Sequence, residues 1–323
     1  MSAERFLGVD VGGTKVAVGV VEAAAATDVV ERPTVLSSAG ALLDGIEVAV
    51  GEVVRRSGPP TAIGVGVPSM VRFATGEVVA SVNIPLSGIR LREELGRRLG
   101  VPVYVDNDAN CAALGEAQLV NDPPAQHLVM LTLGTGVGGG VVIGGMIFRG
   151  ATGLGPELGH VVLEPMGPNC PGTCPNRGCL EALCSGQALE RDATELARDK
   201  PESPLGQVLA DGEPRVKGRD VVALARATDP DALTLMRRLG TTLGVAIAGF
   251  VNTFEPRHIV VGGGLSAAAD LFLPVAEDEA RSRALPAIVA GTTISLARGG
   301  PLAGVIGAGT LAAQEHARPG RAT

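Results

Sequence analysis

Three cysteines and a histidine lie close together in the segment 157–181, ELGHVVLEPMGPNCPGTCPNRGCLE. His160, Cys170, Cys174 and Cys179 give the spacing His-x9-Cys-x3-Cys-x4-Cys, and three thiolates with one imidazole are the ligands of a closed tetrahedral zinc site. Prolines and glycines between the cysteines favour tight turns over a helix. A reduced cysteine-rich loop or a disulfide would use the same residues, but we find no signal peptide that places the chain in an oxidising compartment. The pattern therefore favours structural zinc.

A second polar cluster is the run DNDAN at 106–110, between a predicted buried strand at 101–105 and a predicted helix at 111–119. Polar side chains at the carboxyl end of a strand lie where open α/β sheets bind ligands. Helix capping by Asn107 or Asp108 would explain one of these residues. Four polar side chains in five positions favour a ligand site instead.

Two glycine turns join predicted strands. The segment 6–21, FLGVDVGGTKVAVGVV, predicts two strands around Gly12-Gly13-Thr14, with Asp10 at the end of the first strand and Lys15 after the turn. The segment 127–148 repeats this pattern around LGTGVGGG, with strands predicted at 127–133 and 141–148. Successive backbone N–H groups in such turns can bind anions. The first turn alone is equally consistent with an ordinary hairpin, and the second is interpreted as a second phosphate-binding hairpin.

A third glycine run, GGG at 262–264, separates a predicted strand at 258–261 from a predicted helix at 268–283. A dinucleotide site needs an acidic residue about 20 positions later. The chain has neither Asp nor Glu between Glu279 and Glu315, so NAD is rejected. The glycines are interpreted as a place where a nucleotide approaches the backbone closely.

Composition limits the classes of function. The chain has 323 residues, which predicts two domains, and the linker is expected at Asn121–Pro124. With 46% hydrophobic residues and a net charge of -7 it is expected to be globular, without the basic face of a nucleic-acid binder. We find neither a leader nor an apolar run of the roughly 18 residues that a membrane helix needs, so a cytoplasmic location is expected. Alternating strands and helices predict an α/β fold.

Together these motifs resemble the ROK family (repressors, open reading frames and kinases), and among its members most of all the glucokinases. The resemblance spans nearly the whole chain and rests on DVGGTK at 10–15, DNDAN at 106–110, LGTGVGGG at 133–140, ELGH at 157–160, GCLE at 178–181 and VVGGG at 260–264.

This resemblance implies an actin-like ATPase (ribonuclease H-like) fold with two α/β domains around a cleft. The N-terminal domain would comprise residues 1–120, with a C-terminal helix at about 302–316 packing back on it. The C-terminal domain would comprise residues 121–301 and carry the zinc loop. The family also implies a homodimer.

The chemistry implied is ATP-dependent phosphorylation of a hexose, with glucose favoured. Asp108 would be the general base for the 6-hydroxyl and Asp10 would hold Mg2+ through water. Sugar hydroxyls would be bound by Asn107, Asp108, Glu157, His160 and Glu181. The nucleotide would be bound by Asp10, Gly12, Gly13, Thr14, Lys15, Gly134, Thr135, Gly136, Val137, Gly138, Gly262, Gly263 and Gly264. The zinc ligands would be His160, Cys170, Cys174 and Cys179.

The sequence departs from the family pattern at two places. The first two loop cysteines are usually one residue apart, whereas three residues separate Cys170 from Cys174, and no Trp follows the Asn-x-Pro at 83–85. An N-acylhexosamine kinase, for N-acetylmannosamine or N-acetylglucosamine, is the alternative activity. A non-catalytic sugar-binding regulator is the alternative class.

Overall fold

The computed structural model describes residues 4–120 and 125–318. Within these ranges the chain divides into two compact units. Unit 1 comprises residues 4–120, 125–130, 140–156 and 297–318, and unit 2 comprises residues 131–139 and 157–296. The predicted linker at Asn121–Pro124 lies outside the described residues. The domain boundaries expected from the sequence stay a prediction.

The strands of the described residues are β1 Phe6–Val11, β2 Lys15–Glu22, β3 Ala25–Pro33, β4 Ala62–Val67, β5 Ser69–Arg72, β6 Glu77–Ser81, β7 Val103–Asn107, β8 His127–Leu133, β9 Val137–Ile143, β10 Met146–Ile147, β11 His258–Gly262 and β12 Thr293–Leu296. The α-helices are α1 Ala39–Ser57, α2 Leu91–Leu99, α3 Asp108–Leu119, α4 Leu180–Cys184, α5 Gly186–Asp199, α6 Pro204–Ala210, α7 Gly218–Arg226, α8 Pro230–Phe254, α9 Leu273–Arg283, α10 Pro286–Val289 and α11 Ala303–His316. Short 3-10 helices occupy Leu158–His160, Gly264–Leu271 and Gly300–Leu302.

The five-stranded sheet of unit 1 has the order β3-β2-β1-β4-β7. β1 pairs antiparallel with β2 and parallel with β4, and β4 pairs parallel with β7. All six residues of β4 are buried, which is typical of a strand covered on both faces. Because β1, β4 and β7 run parallel, their carboxyl ends meet at one edge of the sheet.

Helix α1 covers part of this sheet, and local signals fix both of its ends. Ser38 is the N-cap and accepts a hydrogen bond from the N–H of Ala41 at 3.1 Å. Gly58 follows the last turn with φ of 84°, a conformation that favours glycine. The buried face between them repeats every three to four residues and consists of Leu42, Leu43, Ile46, Ala49, Val50 and Val53.

Helix α11 packs on the same sheet at backbone contact. A Cβ added to Gly64 of β4 would lie 1.7 Å from the carbonyl oxygen of Ala308, and one added to Gly307 would lie 1.6 Å from that of Cys111. No side chain fits in either space, so glycine is required for the helix to approach both β4 and α3 this closely. The C-terminal helix thus belongs to the core of unit 1.

A second sheet has the order β10-β9-β8-β11-β12, with β10 antiparallel to β9 and β11 parallel to β12. β5 and β6 form a separate antiparallel pair. None of the described helices is both long enough and apolar enough to cross a membrane.

The predicted α/β class is confirmed, and β8 has the predicted bounds. Four boundary predictions are wrong by two residues or more. β7 spans Val103–Asn107 instead of 101–105, so Asp106 and Asn107 end the strand. α3 begins at Asp108 instead of 111, because the polar run caps and opens the helix. β9 begins at Val137 instead of 141, so glycines 138–140 lie within a strand. After Gly262-Gly263 the chain forms a 3-10 helix at 264–271, and α9 begins at Leu273 instead of 268.

Candidate active site

Asp10, Gly66 and Asp106 lie in register on the three parallel strands at the carboxyl edge of the first sheet. Adjacent strands are about 4.8 Å apart, so the two aspartates stand about 10 Å apart along the edge. A Cβ added to Gly66 would lie 3.2 Å from Cys111 Sγ and 3.5 Å from the Cα of Asp108. The glycine therefore allows the first turn of α3 to lie against the sheet between the two aspartates.

Asp106 is buried in a hydrogen-bond network of its own. Its carboxylate accepts hydrogen bonds from Arg149 Nε at 2.6 Å, Asn110 Nδ2 at 2.9 Å and the N–H of Asn107 at 2.8 Å. Asn107 is also the N-cap of α3, since its Oδ1 accepts from the N–H groups of Ala109 at 2.9 Å and Asn110 at 3.2 Å. Capping and this buried network thus account for Asp106, Asn107 and Asn110, which the sequence interpretation had grouped as a ligand site.

Asp108 differs from these three residues. It is half-buried in the first turn of α3, and its Oδ1 accepts from the N–H of Ala109 at 2.8 Å. Burial raises the pKa of Asp108, while the N–H groups of Ala109 and of Asp108 itself act in the opposite direction. A carboxylate with a raised pKa at the edge of a sheet is a candidate proton acceptor.

Asp10 is the second perturbed carboxyl group. The pKa of Asp10 is raised to about 7, mainly by burial and also by the nearby Asp108, while Lys15 acts to lower it. Asp10 and Asp108 therefore interact electrostatically at the edge of the sheet. A cation bound at Asp10 would favour its ionised form.

The predicted turn between β1 and β2 is confirmed as an antiparallel hairpin. The N–H of Gly12 donates to the carbonyl of Lys15 at 2.8 Å, and Gly13 and Thr14 are exposed at its tip. Thr34 braces the turn, because its hydroxyl donates to the carbonyl of Gly12 at 2.7 Å. Lys15 forms an ion pair with Glu31, an exposed residue of β3.

The second glycine turn, in unit 2, connects β8 to β9. The N–H of Gly134 donates to the carbonyl of Gly136 at 2.9 Å. Glu181 of α4 accepts from the N–H of Val137 at 2.8 Å through Oε2, and a Cβ added to Gly136 would lie 2.3 Å from that oxygen. The predicted sugar ligand Glu181 therefore also holds this turn in place.

A cavity of about 770 Å3 opens in unit 2, within the size range of small-molecule sites. Its lining includes three predicted nucleotide-binding residues: Gly134, Thr135 and Gly264. Beside this cavity the backbone of Gly263 packs against that of Leu133, because a Cβ added to Gly263 would lie 2.4 Å from the carbonyl oxygen of Leu133. Glycine is required there, with φ of 87°.

Most of this lining was not predicted from the sequence. It includes Gln187 and Glu190 of α5, four basic residues and the apolar face of α7: Arg215, Lys217, Arg219, Arg226, Val222 and Ala223. The signal that could have found it is the run RVKGR at 215–219, which carries one of the three lysines of the chain.

The predicted zinc ligands converge in unit 2. One potential ligand atom from each of His160, Cys170, Cys174 and Cys179 lies within 4.8 Å of all the others. His160 Nδ1 is 3.4 Å from Cys170 Sγ, and the sulfurs of Cys174 and Cys179 are 3.9 Å apart. A tetrahedral zinc with Zn–S of about 2.3 Å and Zn–N of about 2.1 Å needs edges of about 3.8 Å and about 3.6 Å. The four residues therefore fit a metal ion of this kind.

This geometry includes Cys170 despite its unusual spacing. Burial raises the pKa of both Cys170 and Cys179, and the neighbouring thiols add to it for Cys170. A bound cation would favour the thiolates. Cys111 and Cys184 are buried outside this group.

Two further predicted sugar ligands precede the cysteines. Glu157 is exposed and stands just before the 3-10 helix Leu158–His160, and half-buried His160 ends that helix. A Cβ added to Gly159 would lie 2.0 Å from the carbonyl of Val137. The helix thus lies against the same strand that Glu181 holds, so Glu157, His160 and Glu181 belong to one region of unit 2.

The chain belongs to the ROK family, whose model matches residues 6–315. It is 36% identical to a glucokinase of Halalkalibacterium halodurans over 98% of this chain and 97% of that protein. Among solved structures, a ROK hexokinase from Thermus thermophilus has a TM-score of 0.82 at 33% identity, covering 97% of this chain and 99% of that chain.

A ROK family glucokinase from Streptomyces griseus, solved in complex with glucose and AMPPNP, has a TM-score of 0.77 at 33% identity. The likeness covers 96% of this chain and 99% of that chain. The fold is therefore the actin-like ATPase fold of the ROK sugar kinases, as the resemblance implied.

Proposed function

We propose that this protein is a glucokinase that transfers the γ-phosphate of ATP to the 6-hydroxyl of glucose. The observation that carries the proposal is Asp108, a carboxylate with a raised pKa in the first turn of α3, in electrostatic contact with Asp10. The similarity to glucokinases over nearly the full length supports the choice of reaction and sugar.

Asp108 would act as the general base. Its carboxylate accepts the proton of the 6-hydroxyl while that oxygen attacks the γ-phosphorus, and the bond to the β-phosphate oxygen breaks with ADP as the leaving group. The partners of its neighbours support this role, because Asp106 and Asn110 are engaged in holding the start of the helix.

ATP would occupy the cavity of unit 2, with the phosphates on the turn Gly134–Gly138 and the adenosine beside Gly262–Gly264. Gly12, Gly13, Thr14 and Lys15 would contribute the second set of phosphate contacts. Asp10 would hold Mg2+ through water, and the ion would supply charge neutralisation for the phosphates. The ion pair of Lys15 with Glu31 is exposed, so a phosphate can compete with Glu31 for Lys15.

Sugar hydroxyls would be bound by Asn107, Asp108, Glu157, His160 and Glu181. His160, Cys170, Cys174 and Cys179 would hold Zn2+, which would have a structural role. Since His160 Nδ1 faces Cys170 Sγ at 3.4 Å, Nδ1 would be the metal ligand. Nε2 then remains to bind a hydroxyl, and metal ligation fixes the orientation of the ring.

The test is a coupled assay of ADP release with glucose, mannose, fructose, N-acetylglucosamine and N-acetylmannosamine. We expect the highest kcat/KM with glucose. Asp108→Asn is expected to lower kcat by about two to four orders of magnitude, the range for loss of a general base, with glucose binding retained. Asp44→Asn, in an exposed ion pair with Arg98, is the matched control and is expected to retain normal turnover.

Near-normal turnover of Asp108→Asn would remove that residue from the role of base. A preference for an N-acetylated sugar would identify an N-acylhexosamine kinase. Glucose binding by the wild-type protein without ADP release would identify a sugar-binding regulator. A homodimer and a cytoplasmic location stay predictions.

A further inference from the structure

Unit 1 contains a second cavity, of about 820 Å3, which neither Asp10 nor Asp108 lines. Its walls come from the loops 72–74 and 150–153, from β10 and from the end of α11. Four arginines and one glutamate are its charged residues: Arg72, Arg92, Arg149, Arg318 and Glu315. The cavity thus carries an excess of positive charge in a protein whose net charge is -7.

Arg149 is deeply placed, with a side chain that is 12% exposed. Its Nε donates to Asp106 at 2.6 Å, its Nη1 is 3.6 Å from Glu315, and the guanidinium carbon lies 3.5 Å from the centre of the Phe73 ring. Its Nη2 is buried and has no hydrogen-bond partner among the described residues. A buried donor without a partner is unfavourable unless a ligand or water satisfies it.

Arg92 repeats this pattern from α2. Its Nη1 and Nη2 donate to the carbonyls of Ala74 and Phe73, and this holds the loop that forms one wall. Its Nε is buried and, within the described residues, also unpaired. Burial lowers the pKa of Arg92, and the positive charge of Arg149 acts in the same direction. Both guanidinium groups line the same cavity.

We propose that this cavity binds a small phosphate-bearing anion, either inorganic phosphate or a phosphate monoester. Guanidinium groups match the oxygens of a phosphate, and several arginines around one site favour a dianion over a single carboxylate. The volume admits a phosphate with an organic part. Phe73, Tyr104 and Met146 offer rings and an apolar surface to that part.

Such a ligand would act on the start of α3 through Arg149. The same guanidinium that lines the cavity holds Asp106, and Asp106 in turn binds the N–H of Asn107 and the side chain of Asn110. An anion bound to the Arg149 guanidinium restricts it and therefore the residues on either side of Asp108. The cavity is thus a candidate effector site, and its existence does not depend on the proposed kinase activity.

The experiment is a calorimetric titration of inorganic phosphate into the full chain with glucose and AMPPNP at saturation, so that the proposed substrate sites are filled. Thr152 is exposed on the rim of the cavity and allows a matched pair of variants. Thr152→Asp introduces a negative charge and is expected to weaken phosphate binding about tenfold or more. The asparagine of Thr152→Asn has nearly the same shape as aspartate but no charge. The phosphate affinity of this variant is expected to stay within about twofold of wild type. Glycerol 3-phosphate is titrated in parallel, and tighter binding than that of inorganic phosphate would identify a monoester site.

Absence of saturable phosphate binding to the wild type, or equal binding by the two Thr152 variants, would overturn the proposal. Arg149→Lys keeps a positive charge but lacks Nη2, and normal phosphate affinity in that variant would also contradict it. Binding of AMPPNP and glucose is measured separately in the same samples. Failure of the proposed kinase function would appear as a loss of AMPPNP or glucose binding, without affecting the phosphate titration.

Discussion

Replacing Asp106 by asparagine tests whether its ion pair with Arg149 holds the start of α3. The side chain of Asp106 is 1% exposed and that of Arg149 is 12% exposed, so the pair is largely shielded from water. Removing one partner of a buried pair costs about 3–5 kcal/mol. We expect the lower end, about 3 kcal/mol, because Glu315 remains 3.6 Å from Arg149 and the new amide oxygen can still accept from Asn110.

Urea unfolding can be followed specifically in unit 1. Tyr104 is the single tyrosine of a chain without tryptophan, and it lies on β7 close to Asp106. Its fluorescence therefore reports the unfolding of unit 1. With a dependence of about 3 kcal/mol per molar urea, the midpoint of Asp106→Asn is expected to fall by about 1 M.

Glu93→Gln is the matched control in the same unit. Glu93 is 73% exposed and 3.7 Å from Arg90, and such exposed pairs contribute about 0–1 kcal/mol. If the midpoint of Asp106→Asn moved no further than that of Glu93→Gln, the buried pair would not hold the start of the helix, and the coupling from the second cavity to α3 would lose its basis.

Two further predictions concern the metal cluster and Asp10. Cys179→Ser is expected to lose the zinc that elemental analysis should find at about one per chain, whereas Cys184→Ser, outside the cluster, should retain it; a metal-free wild type would contradict the zinc assignment. Asp10→Asn is expected to raise the urea midpoint of unit 1 at pH 8 without Mg2+, because the wild type must then bury an ionised group whose pKa is raised to about 7. The sign follows from linkage: the raised pKa makes the folded wild type less stable as the pH rises from about 4 to about 7, so the gain should vanish below about pH 4. If Asp10→Asn and the wild type had equal urea midpoints at pH 8 as well as below about pH 4, the burial of this charge would be contradicted.

Much of the fold could be predicted because local patterns determine it. The hairpin around Gly12–Thr14 and the bounds of β8 follow from alternation and glycine turns. The start of β9 was missed because glycines 138–140 carry no strand signal of their own. They are held in the strand by pairing with neighbouring strands, which is a tertiary effect.

In the candidate site, too, the features set by local sequence could be predicted and those set by tertiary packing could not. The metal cluster could be predicted because its ligands lie within 20 residues and share one chemistry. The role of Asp106 could not be predicted, because its partner Arg149 is 43 residues away and belongs to no motif. The basic residues lining the cavity of unit 2 were missed because surface arginines and lysines are common, and their convergence depends on how α5 and α7 pack.

The way α11 packs has a consequence for the order in which a ribosome completes this protein. Residues 303–316 are synthesised after all of unit 2, yet they meet the backbone of β4 and α3, and a Cβ added to Gly304 would lie 2.6 Å from the Asp10 carboxylate. Residues 157–296 form one continuous stretch that can fold as soon as it emerges. The first sheet is made earliest, but part of one face stays uncovered until the final helix is synthesised. The environment of Asp10 is therefore complete only after α11 has been synthesised. A nascent chain without that helix has an incomplete site for phosphoryl transfer.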